Sequence, residues 1–281
     1  MQFMVIRKAD ETTEAGAPPS AQGLADMDRF NQELAANGRL GLALGLRPSS
    51  RAVRLTLWPG GESITDGPFT EAKELVAGFT VFEAASKEAA IEQLKRWPQS
   101  DVQPTGVAVL ELRETGCPGG CAEVPPAAGS EDGRYVILLR SDAGTEADRI
   151  PPQPMLDALN AFNAAQAAEG RLLAGDGLKS SARGARIVFK GAQASVIDGP
   201  FAEAKELIAG FWMIRASSMA DAVAWARTLP YPTGPYVEVE IREAATMADL
   251  MPALDEGQRR ADASLRAEQL DDALRNFTAR A

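Results

Sequence analysis

The segment Asp66-Gly67-Pro68-Phe69-Thr70-Glu71-Ala72-Lys73-Glu74 returns 132 residues later as Asp198-Gly199-Pro200-Phe201-Ala202-Glu203-Ala204-Lys205-Glu206. The same offset carries Phe30-Asn31 onto Phe162-Asn163 and Gly38-Arg39-Leu40 onto Gly170-Arg171-Leu172. It also carries Arg54 onto Arg186 and Pro98 onto Pro230, with no gap between. Past that proline, Glu111-Leu112-Arg113-Glu114 matches Glu240-Ile241-Arg242-Glu243, three residues out of register, as a change of loop length would produce. A repeat longer than about 100 residues is a duplicated domain rather than a solenoid. The expected organisation is a first module over 1–114, a linker over 115–133 rich in Pro, Gly and small residues, a second module over 134–243 and a tail over 244–281.

Each copy shows the same order of patterns. Phe3–Arg7 and Tyr135–Leu139 are short apolar strands. Leu24, Met27, Phe30 and Leu34 recur at helical spacing, as do Leu156, Leu159 and Phe162. Gly38 and Gly170 stand where a helix takes a left-handed C-terminal cap. Leu40–Leu46 and Val53–Trp58 read as two strands, the second alternating. Gly78–Ala84 and Gly210–Ala216 follow the motif as strands, and Ser86 and Ser218 stand as N-caps of second helices. Val107–Leu112 and Tyr236–Ile241 close the copies. Taken with one further strand per copy, this is the β-α-β-β-α-β order of a ferredoxin-like unit. Such a unit carries its helices on one face, so the other face needs a cover, and the second copy supplies it. In the tail, Leu254, Leu265, Leu270 and Phe277 form an apolar stripe, predicting an amphipathic helix over 248–280.

The chemistry open to the chain is bounded by what it lacks. It has no histidine, which removes the commonest general base near neutral pH and the commonest metal ligand. Its net charge of −10 opposes direct binding of nucleic acid, whose recognition rests on basic phosphate contacts. No apolar run approaches the roughly 20 residues of a membrane span, and the start lacks the layout of a signal peptide. A cytoplasmic protein is expected, with no cofactor and no metal. Cys117 and Cys121 form one C-x-x-x-C, too few ligands for a tetrahedral zinc site. They are read first as incidental thiols and second as a reversible disulfide.

Turn chemistry accounts for much of the repeated motif. Asp bonds its own backbone, Gly allows positive φ, Pro fixes φ at the start of a short helix, and Phe plugs the core beneath. The motif is followed by Leu-Val-Ala-Gly-Phe in one copy and Leu-Ile-Ala-Gly-Phe in the other. With that continuation it resembles the DGPF subgroup of the YCII-related proteins, over nearly the whole chain except linker and tail. The resemblance implies an α+β fold in which two ferredoxin-like βαββαβ units pair sheet to sheet as a pseudo-dimeric barrel. Founding YCII-like members are discussed as enzymes with a His–Asp pair. That pair cannot form here, where the helix positions near Met27 and Leu159 are apolar. The resemblance also implies an association, by gene neighbourhood, with extracytoplasmic-function sigma factors.

The candidate acid/base residues are Asp66 and Asp198, carboxylates beside a core-plugging ring. Candidate ligand-binding residues are Arg54, Phe69 and Lys73 in the first copy and Arg186, Phe201 and Lys205 in the second, the cations for a carboxylate or phosphate. The same arginines also fit surface charges on an edge strand. Two functions follow. One is a barrel that binds a small molecule, its activity open. The other is a non-catalytic regulatory or adaptor protein, acting on a protein partner through the tail helix. A cavity beside Asp66 and Asp198 distinguishes the first.

Overall fold

The computed structural model describes residues 1–69, 75–117, 133–201 and 207–252. The first module runs β1 (Gln2–Lys8), α1 (Glu11–Glu14), α2 (Ala21–Ala36), β2 (Leu40–Gly45), β3 (Val53–Trp58), β4 (Gly61–Asp66), β5 (Val76–Glu83), α3 (Lys87–Leu94), α4 (Gln99–Val102) and β6 (Val107–Glu114). The second runs β7 (Arg134–Arg140), α5 (Gln153–Ala168), β8 (Leu172–Gly177), β9 (Ala185–Lys190), β10 (Gln193–Asp198), β11 (Ile208–Arg215), α6 (Met219–Thr228), β12 (Val237–Glu243) and α7 (Met247–Leu250). Local signals explain the helix ends. The Ser86 and Ser218 side chains accept from the Ala89 and Asp221 amides, and Gly38 and Gly170 stop α2 and α5 at φ of 62° and 69°.

Both sheets have six strands and are wholly antiparallel, in the orders β10-β9-β6-β1-β5-β2 and β4-β3-β12-β7-β11-β8. Four successive strands of the first, β6-β1-β5-β2, are the ferredoxin-like sheet of the first module. The remaining two at one end, β10 and β9, belong to the second module, and the reverse holds in the other sheet. The protein is thus an α+β fold in which each module lends a hairpin to the other's sheet. This differs from the expected order in one respect. Val53–Trp58 is a strand, but it lies in the other module's sheet, between β12 and the outer strand β4. β4 was not anticipated, because all six of its residues are exposed and carry no apolar alternation.

Hairpin exchange completes three layers of core. Ala185, Ile187 and Phe189 of β9 are almost wholly buried among Phe30, Leu94, Trp97 and Leu110 of the first module. Val53 and Leu55 of β3 do the same among Leu139, Trp225 and Val239 of the second. Between the sheets, Met4, Ile6, Val81, Val136, Leu138 and Met213 form a shared layer, with the Phe79 and Phe211 rings 5.0 Å apart. The face that a lone unit would leave open is therefore covered by its duplicate. Each buried Ile or Phe contributes about 1.5–3 kcal/mol, so neither module's core is complete without the other.

At the linker's start, Gly116 N donates to Gly177 O at 2.9 Å and Thr115 bridges Leu178, holding the end of β6 against β8. Cys117 is disulfide-bonded, so the incidental-thiol reading does not hold for it; Cys121 lies outside the described residues. The expected tail helix begins differently: α7 is a single turn that ends at Leu250, and residues 253–281 lie outside the described residues. Among the described residues, no helix is long and apolar enough to cross a membrane.

Candidate functional site

The motif is anchored by its glycine and phenylalanine. Gly67 N donates to Ala52 O at 2.9 Å, and the Gly67–Pro68 peptide is cis, as is Gly199–Pro200. Neither glycine takes a positive φ, so the expectation from turn chemistry is replaced by another reason. A Cβ on Gly67 would lie 1.7 Å from Ser49 O, and one on Gly199 would lie 1.8 Å from Ser181 O. Only glycine lets the two backbones come this close. The next contact is a relay. Phe69 N donates to Ser49 Oγ at 3.3 Å, Ser49 Oγ donates to the Glu14 carboxylate, and Ser49 N donates to the same carboxylate at 3.1 Å. In the second module Phe201 N donates to Ser181 Oγ at 3.3 Å, and Ser181 N and Oγ bond Glu146 at 2.9 and 2.5 Å.

Beneath this anchor the Phe69 ring is buried against Ala9, Ala52 and Leu75. Above it lies Arg54, whose guanidinium carbon is 4.0 Å from the ring centroid; Arg186 lies 4.5 Å above Phe201. Both arginines are cross-strand neighbours of a glutamate from the other module, Arg54 of Glu240 and Arg186 of Glu111. Arg54 Nε donates to Glu240 at 3.2 Å, and Arg186 Nη2 donates to Glu111 at 3.0 Å. The glutamates are sealed from water and held by further cations. Glu111 meets Lys8 at 3.4 Å and Arg113 at 3.2 Å, while Glu240 meets Arg242 at 2.9 Å and Arg140. Arg113 continues to Glu146 and to Lys179 O, and Arg242 continues to Glu14 and Arg47 O.

Burial by itself pushes the Glu111 carboxyl up, but Lys8, Arg113 and Arg186 outweigh it and hold the group at about 2. Glu240 is likewise held below the usual range against its burial, by Arg140, Arg242 and Arg54. Both therefore stay ionised, as buried charges do only when paired. Chemically, each cluster is a rigid carboxylate–guanidinium frame. Its arginine is the end that reaches water: the Arg54 side chain is 21% exposed and Glu240 1%, Arg186 19% and Glu111 0%.

Of the residues singled out from sequence, the structure brings Arg54 onto Phe69 and Arg186 onto Phe201, on β3 and β9, which are interior and not edge strands. Asp66 and Asp198 end the outer strands β4 and β10 and are exposed; Asp198 is held by Lys87 at 2.7 Å. Lys73 and Lys205 lie outside the described residues. Sequence reasoning passed over Lys8, Arg140, Glu111, Glu240, Arg113 and Arg242. The last four were visible only as an aligned Glu-x-Arg in both copies. Among the described residues no group of carboxylates and cysteines has the makings of a metal site.

This arrangement defines a class: a tandem α+β barrel of two ferredoxin-like units, interlocked by exchanged hairpins, with an ion-pair cluster where each hairpin joins. The chain belongs to the family of the YCII-related domain, which matches it twice, over residues 1–114 and 134–245. A search of curated proteins gave no match.

Proposed function

We propose that the protein binds a small organic anion at two composite sites, one at Arg54 on Phe69 and one at Arg186 on Phe201, and that it belongs to the DGPF subgroup of its family. The observation that carries this is the repeated stack, a half-buried guanidinium fixed between a motif ring and a sealed glutamate of the other module. The ring and the glutamate remove the rotamer freedom that an arginine otherwise loses on gripping a ligand, which favours affinity through preorganisation. The partly shielded position strengthens its attraction for a carboxylate or phosphate beyond that of a surface charge. Binding rather than catalysis is supported, because the chain has no histidine and the motif aspartates sit on exposed strands.

The test is a thermal-shift titration of the full chain with propionate, benzoate and phenyl phosphate. A ligand at 100 times its Kd adds about 2.7 kcal/mol of stability. We expect a saturable rise in Tm with at least one probe, lost in the doubly substituted Arg54→Met, Arg186→Met protein. A rise that survives in that protein, or no rise with any probe at saturating concentration, would overturn the reading.

A further inference from the structure

The two sites share a frame and differ in the surface beside it. Glu111, Arg186 and Ile197 stand in one cross-strand row of β6, β9 and β10, and Glu240, Arg54 and Thr65 stand in the corresponding row of β12, β3 and β4. Residues directly opposite on neighbouring strands point to the same face, with Cβ atoms about 4.5–5.5 Å apart. Ile197 is thus the immediate neighbour of Arg186 on the side away from Glu111, and Thr65 holds that place beside Arg54. Neither is buried: Ile197 is 52% exposed, and Thr65 is exposed as well.

The next row on the same face diverges in the same sense. Two residues along β9, about 7 Å from Arg186, Val188 stands opposite Val109. At the equivalent place Thr56 stands opposite Glu238, whose side chain is 45% exposed. Ser195 and Ser63 complete these rows and are common to both. Trp58, four residues from Arg54, is about 14 Å away along the strand, and its ring lies over Gly61. The ground beside Arg186 is therefore largely aliphatic and half open to water, whereas that beside Arg54 is polar. An isoleucine left half in water contributes little to the fold, but the same surface covered by a ligand's chain contributes to affinity.

Resting on the proposed anion-binding function, we infer that the sites have diverged. The Arg186 site takes an aliphatic monocarboxylate, its chain lying along β9 over Ile197 and Val188, with Ile197 as the specificity-determining residue. The Arg54 site takes a carboxylate whose remainder is polar. An aliphatic chain laid there would strip water from Thr56, Thr65 and Glu238 without replacing their hydrogen bonds, and that cost offsets the gain from burying the chain.

The probes are acetate, propionate, butyrate and hexanoate, titrated calorimetrically into the full chain. Arg54→Met isolates the Arg186 site and Arg186→Met isolates the Arg54 site. At the Arg186 site each added methylene should tighten binding about twofold, the effect of half-burying it, so that hexanoate binds about sixteenfold more tightly than acetate. The Arg54 site should show no such rise. In the Arg54→Met background, Ile197→Thr with Val188→Thr copies the other lining and should collapse the ratio. The reciprocal Thr65→Ile with Thr56→Val, in the Arg186→Met background, should create it, and decides the case if the first pair lowers the melting temperature. The same hexanoate-to-acetate ratio at both sites, or no gain in the reciprocal protein, overturns the divergence while leaving anion binding intact. Failure of the unsubstituted chain to bind any of the acids overturns both.

Discussion

Arg54 of the first module donates from Nε to Glu240 of the second at 3.2 Å, and the same guanidinium covers the Phe69 ring at 4.0 Å. One side chain thus joins the motif of one copy to the buried charge of the other. The same holds in reverse for Arg186, Phe201 and Glu111. Site and fold are consequently one construction: an isolated module would have the ring and the arginine without the carboxylate that holds them.

The buried glutamates make stability depend on acid. The Glu111 carboxyl is held near 2 in the folded chain, against an ordinary value of 4.5. Its contribution, about 3 kcal/mol, is complete above the unfolded value and is lost as pH falls from about 4.5 towards 2. Glu240, also held down, acts in the same direction. Chemical denaturation between pH 7 and pH 2.5 should show a steep loss below pH 4.5 in the natural protein. Glu111→Gln should be less stable at pH 7, by about 3–5 kcal/mol for the broken pair, and should show a shallower acid limb. An identical acid limb in both proteins would contradict the assignment.

Glycine in the motif is required by close approach. Gly67→Ala places a carbon 1.7 Å from Ser49 O, and Gly199→Ala places one 1.8 Å from Ser181 O. The backbone has to move, and each substitution should cost at least about 2–3 kcal/mol, in the upper range for overpacking. Pulling Ser49 or Ser181 away also loosens the phenylalanine amide, so ligand affinity at that site should fall along with the melting temperature. Equal stability to the natural chain would contradict the geometry.

The motif aspartates should behave in the opposite way. Asp66 and Asp198 are exposed, and the Lys87 pair of Asp198 is a surface contact, of a kind worth little. Asp66→Asn and Asp198→Asn are expected to shift stability by no more than about 0.5 kcal/mol and to leave anion binding unchanged. Loss of binding at full stability would return these residues to the centre of the mechanism.

Interlocking gives a further expectation. Phe189 belongs to the second module's chain but is buried in the first module's core. Phe189→Ala should cost about 3–5 kcal/mol, and both modules should still unfold together in one calorimetric transition. Two separated transitions, with only one lowered, would mean that the modules are independent.

Much of this fold was legible because its signals are local. The offset of 132, the serine caps of α3 and α6 and the glycine ends of α2 and α5 each state their purpose within a few residues. The destination of β3 was not legible. Alternation shows that Val53–Trp58 is half buried but not against which sheet, and β4 shows no alternation because it is exposed on both faces. The site was legible in part. Phe69 lies in the repeated motif, and Arg54 recurs with it at the same offset. Glu111-x-Arg113 and Glu240-x-Arg242 place two charges at a spacing of two on a strand, a pattern that usually faces water. They are instead sealed inside the protein, where each meets, beside partners of its own module, a counter-charge from the other: Glu111 from Arg186, Glu240 from Arg54, Arg113 from Glu146 and Arg242 from Glu14, a long-range fact that no local pattern contains.

The central claim, that each arginine on its motif ring is the seat of an anion, is tested most directly by crystals of the full chain soaked in 3-bromopropionate. Anomalous scattering locates the bromine without reference to any interpretation of the site. The account predicts two peaks, one beside Arg54 and one beside Arg186, each with a carboxylate within hydrogen-bond distance of the guanidinium, and neither in crystals of the Arg54→Met, Arg186→Met protein. Peaks elsewhere on the surface, with both arginines bare at saturating concentration, would contradict it.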